Sequence, residues 1–366
     1  MKAFSTPAGV YNATPPAIVF GAGAFARLPE QVERLGARRP IVVTTPGRGG
    51  SLGAQAQKML GAGCAGLLPR AISQVPIELL HETRSIVRDS GADCIVAVGG
   101  GAATGLAKGL SLELALPIIN VPTTYSGSEM TGFCGITIDG VKRMHTSLNM
   151  LARTVIYDPE LSRALPLDIS AASAFNALAH CVDALVVDTC SPIMALAATE
   201  GARVLHAALS GLGNAPDDMQ VRTDLLYGAY LGGAALTGGF ALQHGLAHVL
   251  GGSFGVSHGL AHALVLPHVT HLFARKVPAR MAPIAAAWGV HVEQLGETLF
   301  DSLGHLGLPT SLKALGFAQE NLASAVTIAI DTDNSQTPFA VSAKDIERLF
   351  IDVYEGNRPH QERPHD

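Results

Sequence analysis

The sequence predicts an α/β domain built on a parallel sheet, followed by an all-α helical bundle. In the first half, short β-branched runs alternate with amphipathic segments of helical periodicity, as a parallel sheet with crossover helices requires. After Tyr157-Asp158-Pro159 the segments become long, rich in alanine and leucine, and helical. A chain of 366 residues is too long for one ordinary core. We therefore predict a boundary at this proline, with domains 1–158 and 159–366 and a disordered tail from about residue 357.

The alternation in the first half is Rossmann-like, since each strand is followed by one helix. Strands are predicted in AIVFGAG, which runs into a glycine turn, in PIVVTTPG, in ADCIVAVGGG, which ends in three glycines, and in LPIINVPTT, with a further strand in GLLPRAIS. The helices between them are predicted at FARLPEQVERLG, SLGAQAQKML, ELLHETRSIVRDSG and ATGLAKGLSLELA. In the second half, helices are predicted at LDISAASAFNALAHCVDALVV, IMALAATEGARVLHAAL, VRTDLLYGAYLGGAAL, Ala279–Trp288 and Ala343–Tyr354.

Composition and charge exclude several classes of protein. With 48% apolar and 15% charged residues the chain is globular, and its net charge of −5 gives no electrostatic reason to bind nucleic acid or an anionic membrane. We find neither an apolar run long enough to span a membrane nor a signal-peptide pattern. The five cysteines are odd in number and contain no CxxC motif, which is typical of a reducing compartment. These features predict a cytoplasmic protein.

The most informative segment is Gln243–Leu266, which contains the unit HGLAH twice. Histidines four residues apart share a helix face, and the two pairs are His244 with His248 and His258 with His262. Glycines 251, 252 and 255 predict a break between two helices. Asn176 and His180, in FNALAH, have the same spacing and predict a third side of the same pocket. Such a pocket suits either a metal or acid–base chemistry.

Other polar residues of this half are interpreted more simply. Asp183 is interpreted as a surface or capping carboxylate rather than a ligand. His206, His268 and His271 have no partner that matches the motif, and we interpret them as core residues.

A glycine turn follows the strand CIVAV, and a group of hydroxyl side chains follows PIINV. Gly99-Gly100-Gly101 allows the backbone to approach a phosphate at a helix N-terminus, although a tight strand-to-helix turn explains it equally well. These hydroxyl side chains suit the recognition of ribose and of the nicotinamide amide, with packing as the alternative for the tyrosine; they belong to Thr123, Thr124, Tyr125, Ser126 and Ser128. Together these residues predict a dinucleotide site.

Several motifs, in order, resemble the iron-containing alcohol dehydrogenase superfamily: GGG before a small-residue helix, VPTTYSGSE, RTVIYDP, FNALAH, HGLAHVLGG and SHGLAHALVLPH. Within it, the chain is most similar to the maleylacetate reductase branch, over roughly residues 17–358. The resemblance implies a dehydroquinate synthase-like architecture and a homodimer. It also implies reduction of maleylacetate to 3-oxoadipate in aromatic-compound degradation. Ala102-Ala103 and Gln243-His244 depart from the residues usual in that branch.

The resemblance also implies a ligand set. Metal-dependent members bind iron or zinc through an aspartate and three histidines, and the matching positions here are Asn176, His180, His244 and His258. An amide in place of the carboxylate removes an anionic ligand. We therefore expect no metal; if one is bound, its ligands are His180, His244 and His258.

The same resemblance suggests roles in catalysis. We predict His244 and His248 as hydrogen-bond donors or acids, with His180 and His258 polarising the pocket. The carboxylates of a dicarboxylate substrate need polar partners, for which the weaker candidates are Asn176, Arg143, Arg153 and His262. The cofactor is NADH or NADPH, because VVTTPGR has no acidic residue for a ribose hydroxyl and offers Arg48 to a 2′-phosphate.

Two other functions remain open. One is a metal-dependent alcohol or aldehyde oxidoreductase of the same superfamily with an unusual Asn/His₃ site. The other is a relative of sugar-phosphate cyclases or glycerol-phosphate dehydrogenases, which need a metal cage and a basic phosphate site that the sequence does not show.

Overall fold

The computed structural model describes residues 16–139, 141–332 and 336–359. The chain forms two compact units, the first ending at Leu165 and the second beginning at Pro166. The predicted boundary after residue 158 falls within the first unit. There the buried Asp158 carboxylate accepts backbone N–H groups from Gly23 and Phe25, at 3.2 and 3.0 Å. Asp158 therefore fixes the start of the first helical turn that the structure describes, Ala24–Arg27.

The first unit is built on a parallel sheet. Its strands are β1 (Ala17–Phe20), β2 (Pro40–Thr44), β3 (Gly66–Pro69), β4 (Cys94–Gly99), β5 (Ile118–Pro122) and, after a hairpin of β6 (Phe133–Ile138) and β7 (Val141–Thr146), β8 (Thr154–Tyr157). The six sheet strands lie in the order β1-β8-β5-β4-β2-β3 and all pair in parallel. The helices are α1 (Leu28–Arg34), α2 (Arg48–Leu60), α3 (Ile77–Asp89) and α4 (Gly101–Leu114). β2, β4 and β5 are buried along their whole length, which explains their continuous apolar sequences.

The second unit is helical. Its helices are α5 (Leu167–Val186), α6 (Pro192–Asn214), α7 (Met219–Ala235), α8 (Leu242–Phe254), α9 (His258–Lys276), α10 (Pro278–Trp288), α11 (Leu295–His305), α12 (Glu320–Asp331) and α13 (Ala343–Glu355). α5 is the central helix and packs against α6, α7 and α9. It is long and apolar enough to cross a membrane, but 89% of its apolar 18-residue stretch is buried inside the protein, as in a core helix.

The fold class is confirmed, with differences in some of its elements. The β6–β7 hairpin, β8, α11 and α12 were not predicted. α8 continues through Gly251 and Gly252 and ends only at Gly255, whose φ of 70° closes the helix in the left-handed conformation. The first fifteen residues, and the predicted tail from residue 360 onward, lie outside the described residues. The chain is still held just before that point, because Arg358 pairs with Asp301.

Candidate active site

Three helices of the second unit bring the predicted histidines together. α5 carries His180, α8 carries His244 and His248, and α9 carries His258 and His262. α9 approaches α5 closely at Gly259, where a Cβ would lie 3.0 Å from the backbone of Ala172. Glycine therefore suits this position, since a Cβ would require the Ala172 backbone to move by a few tenths of an ångström.

The five imidazoles form one continuous group, which we call the histidine cluster: His180, His244, His248, His258 and His262. The separations of their ring centroids are 5.1 Å for His180–His244, 5.9 Å for His244–His248, 4.6 Å for His244–His262, 5.8 Å for His248–His258 and 4.6 Å for His258–His262. Each i, i+4 pair therefore lies side by side, and the rings of all three helices meet in one place.

Asp183 is buried and belongs to this site, although the sequence suggested a surface or capping residue. Its Oδ2 atom lies 2.6 Å from Nδ1 of His244. The same oxygen accepts the backbone N–H groups of Ala241 and His244 at the start of α8, at 2.9 and 3.2 Å. The capping interpretation is thus confirmed, and the surface interpretation is wrong. A carboxylate at a helix N-terminus also stabilises the helix dipole.

Gln243 contacts His262 on the far side of the cluster. Its Nε2 lies 3.2 Å from the backbone oxygen of His262 and 3.4 Å from Nδ1 of the same residue. His262 is fully buried, and its Nε2 makes no hydrogen bond with a described residue. Burial, reinforced by the neighbouring histidines, holds the pKa of His262 well below its ordinary value of 6.5. His262 is therefore a neutral imidazole.

The donor set does not fit the iron that the motifs imply. Asn176, 2% exposed, stands where the resemblance places the carboxylate ligand, so the site has no anionic ligand there. Three imidazoles do converge: one ring nitrogen from each of His248, His258 and His262 lies within 4.8 Å of the other two. This trio is not the one that the resemblance names, since His248 and His262 stand in place of His180 and His244.

In the first unit, the glycine turn lies where a parallel sheet binds nucleotides. The strand order reverses direction between β2 and β4, and such a switch point forms a crevice at the carboxyl ends of the strands. Gly100 precedes α4 and contacts Thr124, since a Cβ there would lie 2.8 Å from the Thr124 side chain. A Cβ at Gly101 would meet nothing within 4 Å, so there is open space beside the first turn of α4, which is the place that a phosphate at a helix N-terminus needs.

The hydroxyl-rich loop after β5 divides into an open and a buried part. Thr123 and Thr124 are partly exposed. Tyr125 is fully buried, and its hydroxyl donates to Ser162 at 3.1 Å. The Tyr125 side chain therefore packs inside the unit, as the alternative interpretation expects, and its role in cofactor binding stays a prediction. Ser126 is also buried, with its hydroxyl 3.4 Å from Glu129.

A buried lysine, which the sequence interpretation missed, anchors this loop. Nζ of Lys108 on α4 donates to the Ser128 carbonyl, the Thr131 hydroxyl and the Phe133 carbonyl, at 2.5, 3.0 and 2.8 Å. Burial lowers the pKa of Lys108 to about 8. The available signal was a single lysine in the small-residue helix GLAKGL.

The predicted basic residues belong to the first unit, whereas the histidine cluster belongs to the second. Arg143 lies on β7 and Arg153 just before β8, and both are exposed residues of the first unit. Arg48 begins α2, and its guanidinium donates to the backbone oxygen of Ala164 at 2.6 Å. Arg48 thus contacts the protein backbone, and this contact does not distinguish a cofactor with a 2′-phosphate from one without it.

Comparison with known proteins agrees with the motifs. The iron-containing alcohol dehydrogenase description matches residues 15–159, and the C-terminal description of the Fe-containing alcohol dehydrogenase family matches residues 170–354. A maleylacetate reductase from Burkholderia cepacia is 40% identical over 354 residues, covering 96% of this chain and 99% of the relative. A maleylacetate reductase from Rhizobium sp. is 39% identical over 352 residues, with the same coverage.

Solved structures give the same result. The crystal structure of a maleylacetate reductase from Rhizobium sp. has a TM-score of 0.88 at 38% identity, covering 96% of this chain and 99% of its own. The iron-containing alcohol dehydrogenase of Corynebacterium glutamicum has a TM-score of 0.89 at 34% identity, covering 96% and 98%. The chain therefore belongs to the iron-containing alcohol dehydrogenase family of NAD(P)H-dependent oxidoreductases, within the branch that includes maleylacetate reductases.

Proposed function

We propose that this protein reduces the conjugated carbon–carbon double bond of maleylacetate with NAD(P)H, gives 3-oxoadipate in the degradation of aromatic compounds, and needs no metal. The observation that carries this proposal is a cluster of five imidazoles with an amide, Asn176, at the position of the metal carboxylate. It occurs in a chain that is 40% identical over nearly its whole length to a maleylacetate reductase.

The reaction requires groups that this cluster can supply. Maleylacetate carries an alkene conjugated to a ketone, and the bound nicotinamide supplies the hydride for the alkene carbon. The alkene electron pair then moves onto the ketone oxygen, so the site must stabilise an enolate and deliver a proton to the adjacent carbon. Buried imidazoles do both, since a neutral ring donates one N–H and a protonated ring transfers a proton.

We assign the proton transfer to His244 or His248, and the polarisation of the pocket to His180 and His258. Asn176 and His262 complete the substrate site with an amide and a buried imidazole. Arg143 and Arg153 stay weaker candidates for the substrate carboxylates. The cofactor phosphates bind at Gly99–Gly101, where the first turn of α4 is open.

The remaining properties follow from the sequence and stay predictions. We expect a homodimer in the cytoplasm whose partners are small molecules, with neither nucleic acid nor membrane. The preference between NADH and NADPH also stays open, because Arg48 contacts a backbone oxygen.

The proposal is tested by a substrate panel on protein whose metal content has been measured. We expect oxidation of NADH or NADPH with maleylacetate at a far higher kcat/KM than with simple aldehydes and ketones, and no loss after chelation. A preference for aldehydes would contradict the substrate. A stoichiometric metal whose removal abolishes turnover would contradict the metal-independent mechanism.

One observation favours a second function, a metal-dependent alcohol or aldehyde oxidoreductase. Ring nitrogens of His248, His258 and His262 lie within 4.8 Å of one another, which is close enough for three-histidine zinc ligation after small side-chain movements. The chelation arm of the same experiment distinguishes the two functions.

A further inference from the structure

Two side chains beside the histidine cluster determine which ring nitrogen of a central histidine carries its proton. The first is Asp183. A carboxylate accepts hydrogen bonds, and its Oδ2 lies 2.6 Å from Nδ1 of His244. Nδ1 of His244 must therefore carry a hydrogen. In the neutral ring, Nε2 of His244 then holds a lone pair and makes no hydrogen bond with a described residue.

The second side chain is Gln243. The backbone oxygen of His262 accepts hydrogen bonds only, so the amide atom 3.2 Å from it must be nitrogen. A flipped amide would bring two oxygens together. The second hydrogen of that NH₂ group points to Nδ1 of His262, 3.4 Å away. Nδ1 of His262 is then the acceptor, and the proton of the neutral ring lies on Nε2.

We infer that Asp183 and Gln243 are positioning residues that hold His244 and His262 in opposite neutral tautomers. The two rings lie edge to face with centroids 4.6 Å apart, so a lone-pair nitrogen and an N–H nitrogen are offered within one small space. Resting on the proposed function, this arrangement gives each ring one task. Nε2–H of His262 donates to the developing enolate oxygen, while Nε2 of His244 takes up a solvent proton and passes it to carbon.

The tautomer of His262 also bears on metal binding. A ring nitrogen that carries a hydrogen has no lone pair for a cation. With its proton on Nε2, His262 contributes no ligand atom through that nitrogen, and Nδ1 is occupied by Gln243. The three converging imidazoles then provide two ligands, unless the tautomer changes. Gln243 is therefore a residue that disfavours zinc at this trio.

The first test needs no substitution. Two-bond ¹H–¹⁵N correlation spectra of the ¹⁵N-histidine-labelled full chain, recorded without substrate at alkaline pH, report which ring nitrogen is protonated. We expect Nδ1–H for His244 and Nε2–H for His262, with the signals assigned from single histidine substitutions. A proton on Nδ1 of His262 would overturn the inference.

The second test is Gln243→Glu, with Gln243→Met as the matched control. A carboxylate can only accept, so it should draw the proton of His262 to Nδ1 and free Nε2. We expect the His262 signals to invert. The affinity for Zn²⁺ should rise as well, but since the added negative charge alone attracts the cation, the tautomer signals decide the test. Methionine fills a similar volume without a hydrogen bond and should give mixed tautomers with a smaller gain. An unchanged tautomer in both folded variants would contradict the inference.

Kinetics separate this inference from the proposed function. If maleylacetate is the substrate, Gln243→Glu should lower kcat with little change in KM, because the lost N–H serves the enolate rather than ground-state binding. If maleylacetate is not reduced but the spectra show opposite tautomers, the proposed function fails and the inference stands. If maleylacetate is reduced but His244 and His262 have the same tautomer, the inference fails while the proposed function stands.

Discussion

Asn176 lies one helical turn before His180 on α5 and is 2% exposed. The amide there removes the negative charge that would attract a divalent cation to the adjacent imidazoles. Restoring that charge should reverse the effect. We expect Asn176→Asp to raise the affinity for Zn²⁺ or Fe²⁺ by about tenfold or more, equal to ~1.4 kcal/mol, in titration calorimetry of metal-free protein.

The control for this change is Asn214→Asp, which adds the same charge at the exposed end of α6. It should leave metal affinity unchanged. Equal metal binding by the wild type and Asn176→Asp would show that the side chain at position 176 does not act together with the histidines. A metal-free Asn176→Asp protein should also be less stable, because burying an ionised carboxylate costs more free energy than burying a neutral amide.

At the same scale, the sequence predicted the paired histidines but not their partners. The i, i+4 spacing is local and follows from helix geometry alone, as His258 and His262 show. Asp183 and His244 are 61 positions apart, and their contact depends on how α8 packs against α5. Gln243 contacts His262 across 19 positions, from one helix to the next. The contacts of Asp183 and Gln243 form only when the helices pack together, so no local sequence pattern indicates them.

At the scale of secondary-structure elements, the first turn of α4 leads to a separate prediction about cofactor binding. A Cβ at Gly101 would meet nothing within 4 Å, and its φ lies outside the left-handed range, so alanine fits the folded chain. Alanine also favours a helix over glycine, and stability should be unchanged or slightly higher. If phosphate binds these N–H groups, the added methyl should weaken NAD(P)H binding about tenfold, measured by fluorescence titration.

Gly304→Ala is the matched control, because Gly304 lies in α11 and also has open space around its Cα. It should leave cofactor binding as in the wild type. Wild-type affinity in Gly101→Ala would show that the glycine turn has only a structural role, the alternative that the sequence left open.

The central strands that the sequence predicted, β2, β4 and β5, are buried at every position. β4 therefore reads as an apolar run, whereas β7 has no buried residue and carries two basic side chains, Lys142 and Arg143. α12 includes the β-branched sequence VTI, which weakens a helical pattern. β7 and α12 were therefore missed because few of their side chains are buried. Burial does not explain why β8 was missed, since all four of its residues are buried.

At the scale of the whole molecule, burial lowers the pKa of two buried histidines, His262 and His268, which has a consequence for stability in acid. His268 on α9 is 4% exposed, its ring packs edge to face against Phe300, and its Nε2 makes no hydrogen bond with a described residue. Burial, with a smaller contribution from His271, lowers the pKa of His268 from 6.5 to about 3. Folding therefore excludes a proton that the unfolded chain binds.

The sign of the pH dependence follows from this difference. Above pH 6.5 both states are neutral at His268 and the contribution is constant; between about 6.5 and about 3 only the unfolded chain takes up the proton. The free energy of unfolding should then fall with falling pH, by up to about 1.4 kcal/mol per pH unit for this one group.

His268→Gln, measured by urea unfolding at a series of pH values, should flatten that slope between pH 6.5 and 5, whatever it does to stability at neutral pH. His81→Gln, on the exposed side of α3, is the control and should keep the wild-type slope. If His268→Gln also kept that slope, the acid sensitivity would arise elsewhere, with the fully buried His262 as the next residue to test.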